Sequence, residues 1–419
     1  MNCNRLPSGA SIAIVGAGII GVASAFELSR RGYQVTVYDD SPVGEGGSSS
    51  GNAGHIVGSD VYPLSTPGIH WKALKMLMNA DAPLKIPLRH VLALLPWFWR
   101  FWRTSQGQRF LTATQALSYL SLNTLTDVQS MFEAANITEK LAVNSCLFLY
   151  DNEFSFNASQ MSWLEKKGMG IKSDLMNEAQ IRSQIPGVTN HFKRGVLSHN
   201  WATVSDPLEV VQSLAEAAKL NNADFKLARV NSLRELDKSV QLETSIGQFN
   251  HEGVIIAAGV HSKKIAQSCG DFLPVTAERG YNITLPKSGE VLARPLVFAD
   301  RGIVATQLTS GLRIGGWAEY APSHRPASKA YFKSMARISA ELFPQANFEK
   351  AKMWMGSRPS MPDSVPVISK SAKKERIFYN CGHGHYGLSF AASSARILTD
   401  IISGENIDDV YQNYSIQRF

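Results

Sequence analysis

The sequence predicts an α/β chain built on a doubly wound parallel sheet that a second domain interrupts. Three observations predict it. Ser11-Ile12-Ala13-Ile14-Val15 is an apolar, β-branched run that leads straight into a glycine turn, a helix and a second strand, the order of a βαβ unit buried on both faces. Far along the chain, Val254-Ile255-Ile256-Ala257 is another strand without a polar face. Near the end, Ile377 to Tyr379 runs into a glycine-rich loop and a helix from Leu388 to about Ile402, stopped by Gly404. Strands of one sheet set so far apart imply an inserted domain.

In the first unit, Gly16-Ala17-Gly18-Ile19-Ile20-Gly21 separates the strand from a helix over Val22 to Arg31, which Gly32 ends. Gln34 to Tyr38 is the second strand and runs into Asp39 and Asp40. Gly16 makes the tight turn, Gly18 admits a pyrophosphate close to the backbone, and Gly21 lets the helix pack on the strand. The helix start then offers free N–H groups and its positive dipole end to phosphates. Asp39 stands where a carboxylate accepts hydrogen bonds from a ribose. Glycine turns are common between strands and helices, so the glycine pattern alone is weak. Its strand–turn–helix–strand–acid setting makes it strong. This is a dinucleotide site.

A chain of 419 residues exceeds one typical domain, and 44% hydrophobic with 18% charged residues describes an ordinary globular core. The four cysteines, Cys3, Cys146, Cys269 and Cys381, include no Cys-x-x-Cys pair and fit free thiols in a reducing compartment. Residues 1–10 hold no apolar signal-peptide region, and no run is long enough to span a bilayer. The expected location is cytoplasmic, with one qualification from the charge pattern.

Between Val61 and Thr126 the sole acid is Asp81, against Lys72, Lys75, Lys85, Arg89, Arg100, Arg103 and Arg109. Trp71, Trp97, Trp99 and Trp102 fall in the same stretch, and Pro96 interrupts its most aromatic part, Leu92 to Arg103. Two readings compete. One is a peripheral membrane contact through 85–110, with tryptophans at headgroup depth and arginines on anionic lipid. The other is a core helix whose arginines snorkel to water. No nucleic-acid motif accompanies the charge.

Val43 to Gly58 is rich in glycine and serine. It is either a flexible linker or a loop laying Ser48, Ser49 and Asn52 along a cofactor; the apolar end of Asn52-Ala53-Gly54-His55 favours the loop. Helices are expected over Ser159–Gly168 and from Pro207 to Leu220, the latter capped by Asp206. Strands are expected over Phe225–Val230 and Ser239–Thr244. Ala258-Gly259, after the buried strand, allows close backbone approach. Gly382-His383-Gly384-His385-Tyr386-Gly387 entering a helix is a second anion cradle. His383 and His385 lack a third ligand at a recognisable spacing, so no metal is expected.

Together, GAGIIG, VTVYDD, SSSGNAG, DAPLKI, ERGYNITLP, LRIGGWAEY, GSRPSMPDSVPV and NCGHGHYGL resemble, in order and spacing, the FAD-dependent D-amino acid oxidase superfamily, closest to the bacterial D-amino acid dehydrogenases. The resemblance covers nearly the whole chain. It implies a Rossmann-like FAD domain (1–82, 195–270 and 350–419) interleaved with an α+β substrate domain on an antiparallel sheet (83–194 and 271–349). It also implies non-covalent FAD, and oxidation of an amino acid to an imine that water converts to a 2-oxo acid.

Residue by residue, Gly16, Gly18, Ile19, Ile20, Gly21, Asp39 and Asp40 resemble the set that binds the ADP half of FAD. Ser48, Ser49, Asn52, Ala53 and Gly54 resemble the loop beside the isoalloxazine ring. Val230 stands on the adenine side, and Ala258-Gly259 at a second cofactor strand end. Gly384, His385, Tyr386, Gly387 and Leu388, with Gly356, match the flavin surroundings. Arg358 matches the arginine that grips the substrate carboxylate, a reading favoured over the plainer one of a surface ion pair. Many amine oxidases of the group carry a tyrosine near Ile303, so Tyr281 and Tyr386 become candidates for the second carboxylate ligand. His55 stands where the dehydrogenases often have glutamine, which shifts substrate scope. The expected function is oxidation of a D-amino acid or cyclic imino acid, with electrons passing to a quinone-type acceptor. The alternatives are an oxygen-using oxidase and a flavin-binding subunit or sensor without turnover.

Overall fold

The computed structural model describes residues 5–69, 83–189, 191–286, 292–405 and 408–419. Cys3, Trp71, Lys72, Lys75 and Asp81, invoked above, lie outside them. In chain order, β1 (Ser11–Val15), α1 (Ile19–Arg30) and β2 (Gln34–Asp39) form the first unit, followed by β3 (His55–Val57) and β4 (Leu84–Lys85). Then come α2 (Val91–Thr104), α3 (Gly107–Ala134), β5 (Leu141–Tyr150), α4 (Glu153–Gly168), β6 (Ser173–Asn177), α5 (Glu178–Gln184) and β7 (Arg194–Val204). The middle of the chain supplies α6 (Pro207–Leu220), β8 (Asp224–Leu227), β9 (Val230–Glu235), β10 (Val240–Thr244), β11 (Gly247–His251), β12 (Gly253–Ile256) and α7 (Ser262–Ser268). Last are β13 (Thr276–Leu285), β14 (Leu296–Phe298), β15 (Ile303–Leu308), β16 (Gly311–Tyr320), α8 (Lys329–Leu342), β17 (Lys352–Ser360), β18 (Val367–Lys370), β19 (Ile377–Cys381) and α9 (Gly387–Ser403).

The first sheet runs β18-β19-β12-β1-β2-β8, parallel from β19 to β8 with β18 antiparallel at the edge. Alternation along β1 explains why its run is wholly apolar. Ile12 and Ile14 join a core with α1, α3, α6 and α9, whereas Ala13 and Val15 face a core with the small β9–β11 sheet and α7. Asp206 caps α6 by accepting the Leu208 N–H at 2.9 Å, ahead of Pro207 in the first turn. Gly404 closes α9 in the left-handed region with φ of 70°.

The second sheet is ten-stranded and mostly antiparallel, in the order β17-β13-β16-β15-β14-β5-β7-β3, with β4 on β16 and β6 on β7. One face packs on α8 through Tyr281, Ile283, Ile314, Phe332 and Met335. The other looks toward the first sheet's cofactor end.

This pairing moves the expected boundaries. β3, β7 and β17 fall within stretches expected to be nucleotide-domain, yet β17 pairs with β13 from Thr276↔Ser360 to Thr284↔Lys352, and β7, which carries β3 on its edge, pairs with β5 and β6. Helix α3, expected in the substrate domain, packs Ala116, Leu117 and Leu120 into the nucleotide-side core. Ladder bonds and packing between distant segments decide membership, and a linear pattern carries neither. Two local differences have simpler causes. The strand expected over Phe225–Val230 is split, because the Ala228 N–H turns in to Asp39 O at 2.6 Å. Pro96 sits inside α2 without ending it, since the amide it lacks would have bonded Leu92 close to the helix start.

Candidate active site

The glycine turn is built as its spacing requires. Gly16 has φ of 114°, and its N–H donates to Tyr38 O at 2.8 Å. A Cβ on Gly21 would stand 1.8 Å from Gly16 O, so the helix rests directly on the turn. Helix α1 starts without a side-chain cap and with no acid in its first turn, which leaves its positive end for an anion. Ser49 Oγ accepts the Ile19 N–H at 3.0 Å. Asp39 braces the turn: Oδ2 accepts the Ala17 N–H at 2.6 Å and Oδ1 the Ser41 N–H at 2.9 Å. Burial raises the Asp39 pKa against the pull of those two bonds. Asp40 is exposed and pairs with Arg229. Ala258-Gly259 follow β12 at the same crevice, where a Cβ on Gly16 would stand 2.5 Å from Ala257 O. Val230 opens β9 beyond the Asp39 contact of Ala228. The crevice thus lies at the carboxyl ends of the parallel strands, the usual place for a ligand on such a sheet.

From α1 a cavity of about 1340 Å³ opens, lined by Ser48, Ser49, Asn52 and Ala53, by Arg358 and by the 384–388 loop. The 48–54 loop is fixed. Asn52 Oδ1 accepts the Gly54 N–H at 2.8 Å, so the Asn52 side chain closes its own turn rather than reaching a ligand. Arg313 Nη1 donates to Ser50 O and Asn52 O, at 3.2 and 2.6 Å, and Asn282 Nδ2 donates to Gly51 O at 2.7 Å. Gly356 carries the Trp354 indole, which also lies against Gly51; a Cβ on either glycine would stand within 2.3 Å of the ring. Arg313, Asn282 and Trp354 were not singled out in the sequence. Each lies on a strand of the second sheet, and only the strand register aims it at the loop.

Arg358 is not a surface residue. Its guanidinium lies flat over Gly280, where a Cβ would stand 2.4 Å from Cζ. Nη1 donates to Glu278 Oε1 at 2.9 Å and to Trp317 O at 3.3 Å, and Nη2 to Gly316 O at 3.4 Å. Nε–H and one Nη2 hydrogen have no acceptor among the described residues, which leaves one planar fork on the cavity wall. Glu278 Oε2 accepts from Ser360 at 3.0 Å and Tyr320 at 3.4 Å. Burial alone would raise the Glu278 pKa; the Arg358 charge and the hydrogen bonds from Arg358 and Ser360 hold it below the usual carboxylate value. The pair is an anchored ion pair with one usable edge.

The tyrosine candidates separate here. Tyr281 follows the alternation of β13, with Glu278 and Asn282 on the cavity face and Tyr281 turned toward α8. Its hydroxyl donates to Glu319 at 2.6 Å and accepts the Ser328 N–H at 3.2 Å, so it is not available as a carboxylate ligand. Tyr386, buried at the start of α9, keeps its hydroxyl 3.4 Å from Asp60 on the cavity wall. His55 is buried, hydrogen-bonded through Nε2 to Thr306, and edge-on to Trp201; burial lowers its pKa to about 3. Ile303 is a buried wall residue. His383 bonds Ser394 at 2.8 Å. No cluster suited to a metal exists among the described residues.

The family described as FAD dependent oxidoreductase matches residues 11–401. The chain belongs to the FAD-dependent oxidoreductases. A D-amino-acid oxidase of Bradyrhizobium diazoefficiens is 28% identical over 99% of this chain and 100% of its own length. A D-amino acid dehydrogenase of Sinorhizobium medicae is 28% identical over 97% of this chain and 99% of its own. Glycine oxidase from Geobacillus kaustophilus shares the fold, with a TM-score of 0.76 at 19% identity over 98% of this chain and 99% of that one.

The residues present fit FAD. The uncapped start of α1 suits its pyrophosphate and Asp39 a ribose. Helix α9 likewise begins, at Tyr386, without a side-chain cap or an acid in its first turn, and its positive end beside the 384–388 loop would suit a group on which negative charge develops.

Proposed function

We propose that this flavoenzyme oxidises a D-amino acid or cyclic imino acid at Cα–N to an imine, which water hydrolyses to a 2-oxo acid and ammonia (or to the opened 2-oxo acid for a ring substrate). The observation that carries this reading is the Arg358 fork, open on a cavity shared with the flavin loops. FAD, when bound, supplies the hydride acceptor. The chain supplies placement: the fork takes the substrate carboxylate in a bidentate grip, which fixes Cα within a walled cavity. Names of the relatives support the D configuration. Anaerobic mixing with a panel of D-amino acids, L-amino acids and hydroxyproline isomers tests it. D-amino acids are expected to bleach the flavin; bleaching by L-amino acids alone, or by none of the panel, rejects the reading, and the second result leaves a flavin sensor.

For the electron acceptor we favour a membrane quinone. On α2, Leu92, Leu95, Trp99 and Trp102 form one exposed stripe at helical spacing, while Trp97 packs inward on Phe101 and Tyr320. Arg103 lies over Trp99 at 4.4 Å and Arg100 over Phe272 at 4.8 Å. The stripe lies beside the cavity mouth, as a contact that loads from a membrane requires. No helix among the described residues is long and apolar enough to cross a membrane, so the contact would be peripheral, with about 1 kcal/mol from each basic residue near anionic lipid. The protein is expected to sediment with anionic vesicles at low salt and to release as salt screens the charge. A variant with Trp99 and Trp102 changed to Ser, and Arg100 and Arg103 to Gln, should stay in solution. If the parent also stays in solution, oxygen or a soluble acceptor becomes the better reading, in line with the relative named an oxidase.

A further inference from the structure

We propose that His385 takes the ammonium proton of the bound substrate, so that hydride leaves Cα of a free amine. The inference rests on the amino acid reading above. An amino acid enters as the ammonium form at neutral pH, and hydride loss to an imine needs the nitrogen lone pair. That proton can leave to water before binding or pass to a group on the cavity wall, and the structure offers one group for the second route.

The other candidates are committed elsewhere. His55 Nε2 is bonded to Thr306, and His383 is buried on Ser394. The Glu278 oxygens hold Arg358, Ser360 and Tyr320. Asp60 holds the Tyr386 hydroxyl and faces Lys166 at 3.7 Å. His385 lines the same cavity, half-buried, and neither ring nitrogen has a hydrogen-bond partner among the described residues.

The charges around it suit the task. Glu278 from β13, Arg358 from β17 and Asp60 from the loop after β3 all act on the ring, and the Tyr386 ring lies beside it, tilted by 48° with centroids 4.0 Å apart. Burial, the largest influence, lowers the His385 pKa, so the ring is neutral before substrate binds but also a weaker base. Glu278 and Asp60 then offset the charge of the imidazolium, while Arg358, occupied by the substrate carboxylate, opposes it less. The step balances: the substrate N–H bond breaks and leaves its electron pair on nitrogen, and an N–H bond forms on the ring. The hydride leaves Cα for the acceptor that bound FAD would supply, and the ring then returns its proton to water.

The test is His385→Asn, which keeps a polar side chain and removes the basic nitrogen. At pH 7 kcat/KM is expected to fall about 10²–10⁴-fold, the usual worth of a general base. The deficit should shrink as pH rises toward the amine pKa, because the substrate then arrives deprotonated. FAD content and the affinity for benzoate, a carboxylate without an amine, should match the parent. A pH 7 value within threefold of the parent, or a deficit constant across pH, would overturn the proposal. Failure of the parent itself to be bleached by any amino acid would instead reject the underlying reading.

Discussion

Arg358→Ala is expected to lower kcat/KM by roughly 2–5 kcal/mol, about thirty-fold to several thousand-fold, the cost of leaving a substrate carboxylate unpaired in a partly desolvated site. A second effect follows from Glu278. That carboxylate is buried and holds Arg358 at 2.9 Å, so truncation also strands a buried charge, a loss of about 3–5 kcal/mol in stability when no partner replaces it. Arg358→Lys separates the two. An ammonium can still pair with Glu278, so the melting temperature should recover much of the loss, but it has no planar fork, so kcat/KM should stay low. FAD content should be normal in both variants, because the guanidinium contacts none of the turn that begins α1. Parental kcat/KM in Arg358→Ala would remove Arg358 from substrate binding; full recovery of kcat/KM in Arg358→Lys would mean that charge alone, not the fork, does the work.

The cofactor half of this molecule is legible in the sequence because its determinants are local. Gly16, Gly21 and Asp39 act within one βαβ unit, and the turn, helix start and acid can be read from spacing. The same holds for the α6 cap at Asp206 and the α9 stop at Gly404. On the second sheet the sequence singles out Arg358, the residue to which we assign the substrate carboxylate. What makes Arg358 useful comes from distant segments: Glu278 across a β ladder, Gly280 beneath the guanidinium, and the Gly316 and Trp317 carbonyls at a bulge between β13 and β16. Tyr281 shows the converse. The resemblance makes it a carboxylate-ligand candidate, but its hydroxyl is taken by Glu319. Helix α2 combines the two readings of its composition, with Trp97 in the core and Trp99 and Trp102 exposed near the cavity mouth.

Gly21→Ala is expected to yield a folded chain that loses FAD on purification. The added Cβ would stand 1.8 Å from Gly16 O, 3.0 Å from Gly16 C and 3.4 Å from Ile14 Cγ2. The nearest two are backbone atoms, so no rotamer change can relieve the contact. The turn cannot withdraw, because Gly16 N–H is held by Tyr38 O and Ala17 N–H by Asp39. Nor can the helix retreat, since Val22, Ala25 and Phe26 are buried in the core shared with α6 and α9. Overpacking of this kind costs roughly 1–3 kcal/mol and more where backbone must move, and the displacement falls on the amides that face the pyrophosphate. Gly18→Ala is the control. Its Cβ would meet only the Ser49 hydroxyl, at 3.1 Å, a side-chain atom that can rotate away. The flavin-to-protein absorbance ratio and the melting temperature of the apoprotein decide the matter. Gly21→Ala should lower both, and Gly18→Ala should leave the apoprotein melting temperature near that of the parent. Parental flavin content in Gly21→Ala would mean that the turn relaxes at no cost to the site, and the close helix-on-turn contact would then not be what holds the cofactor.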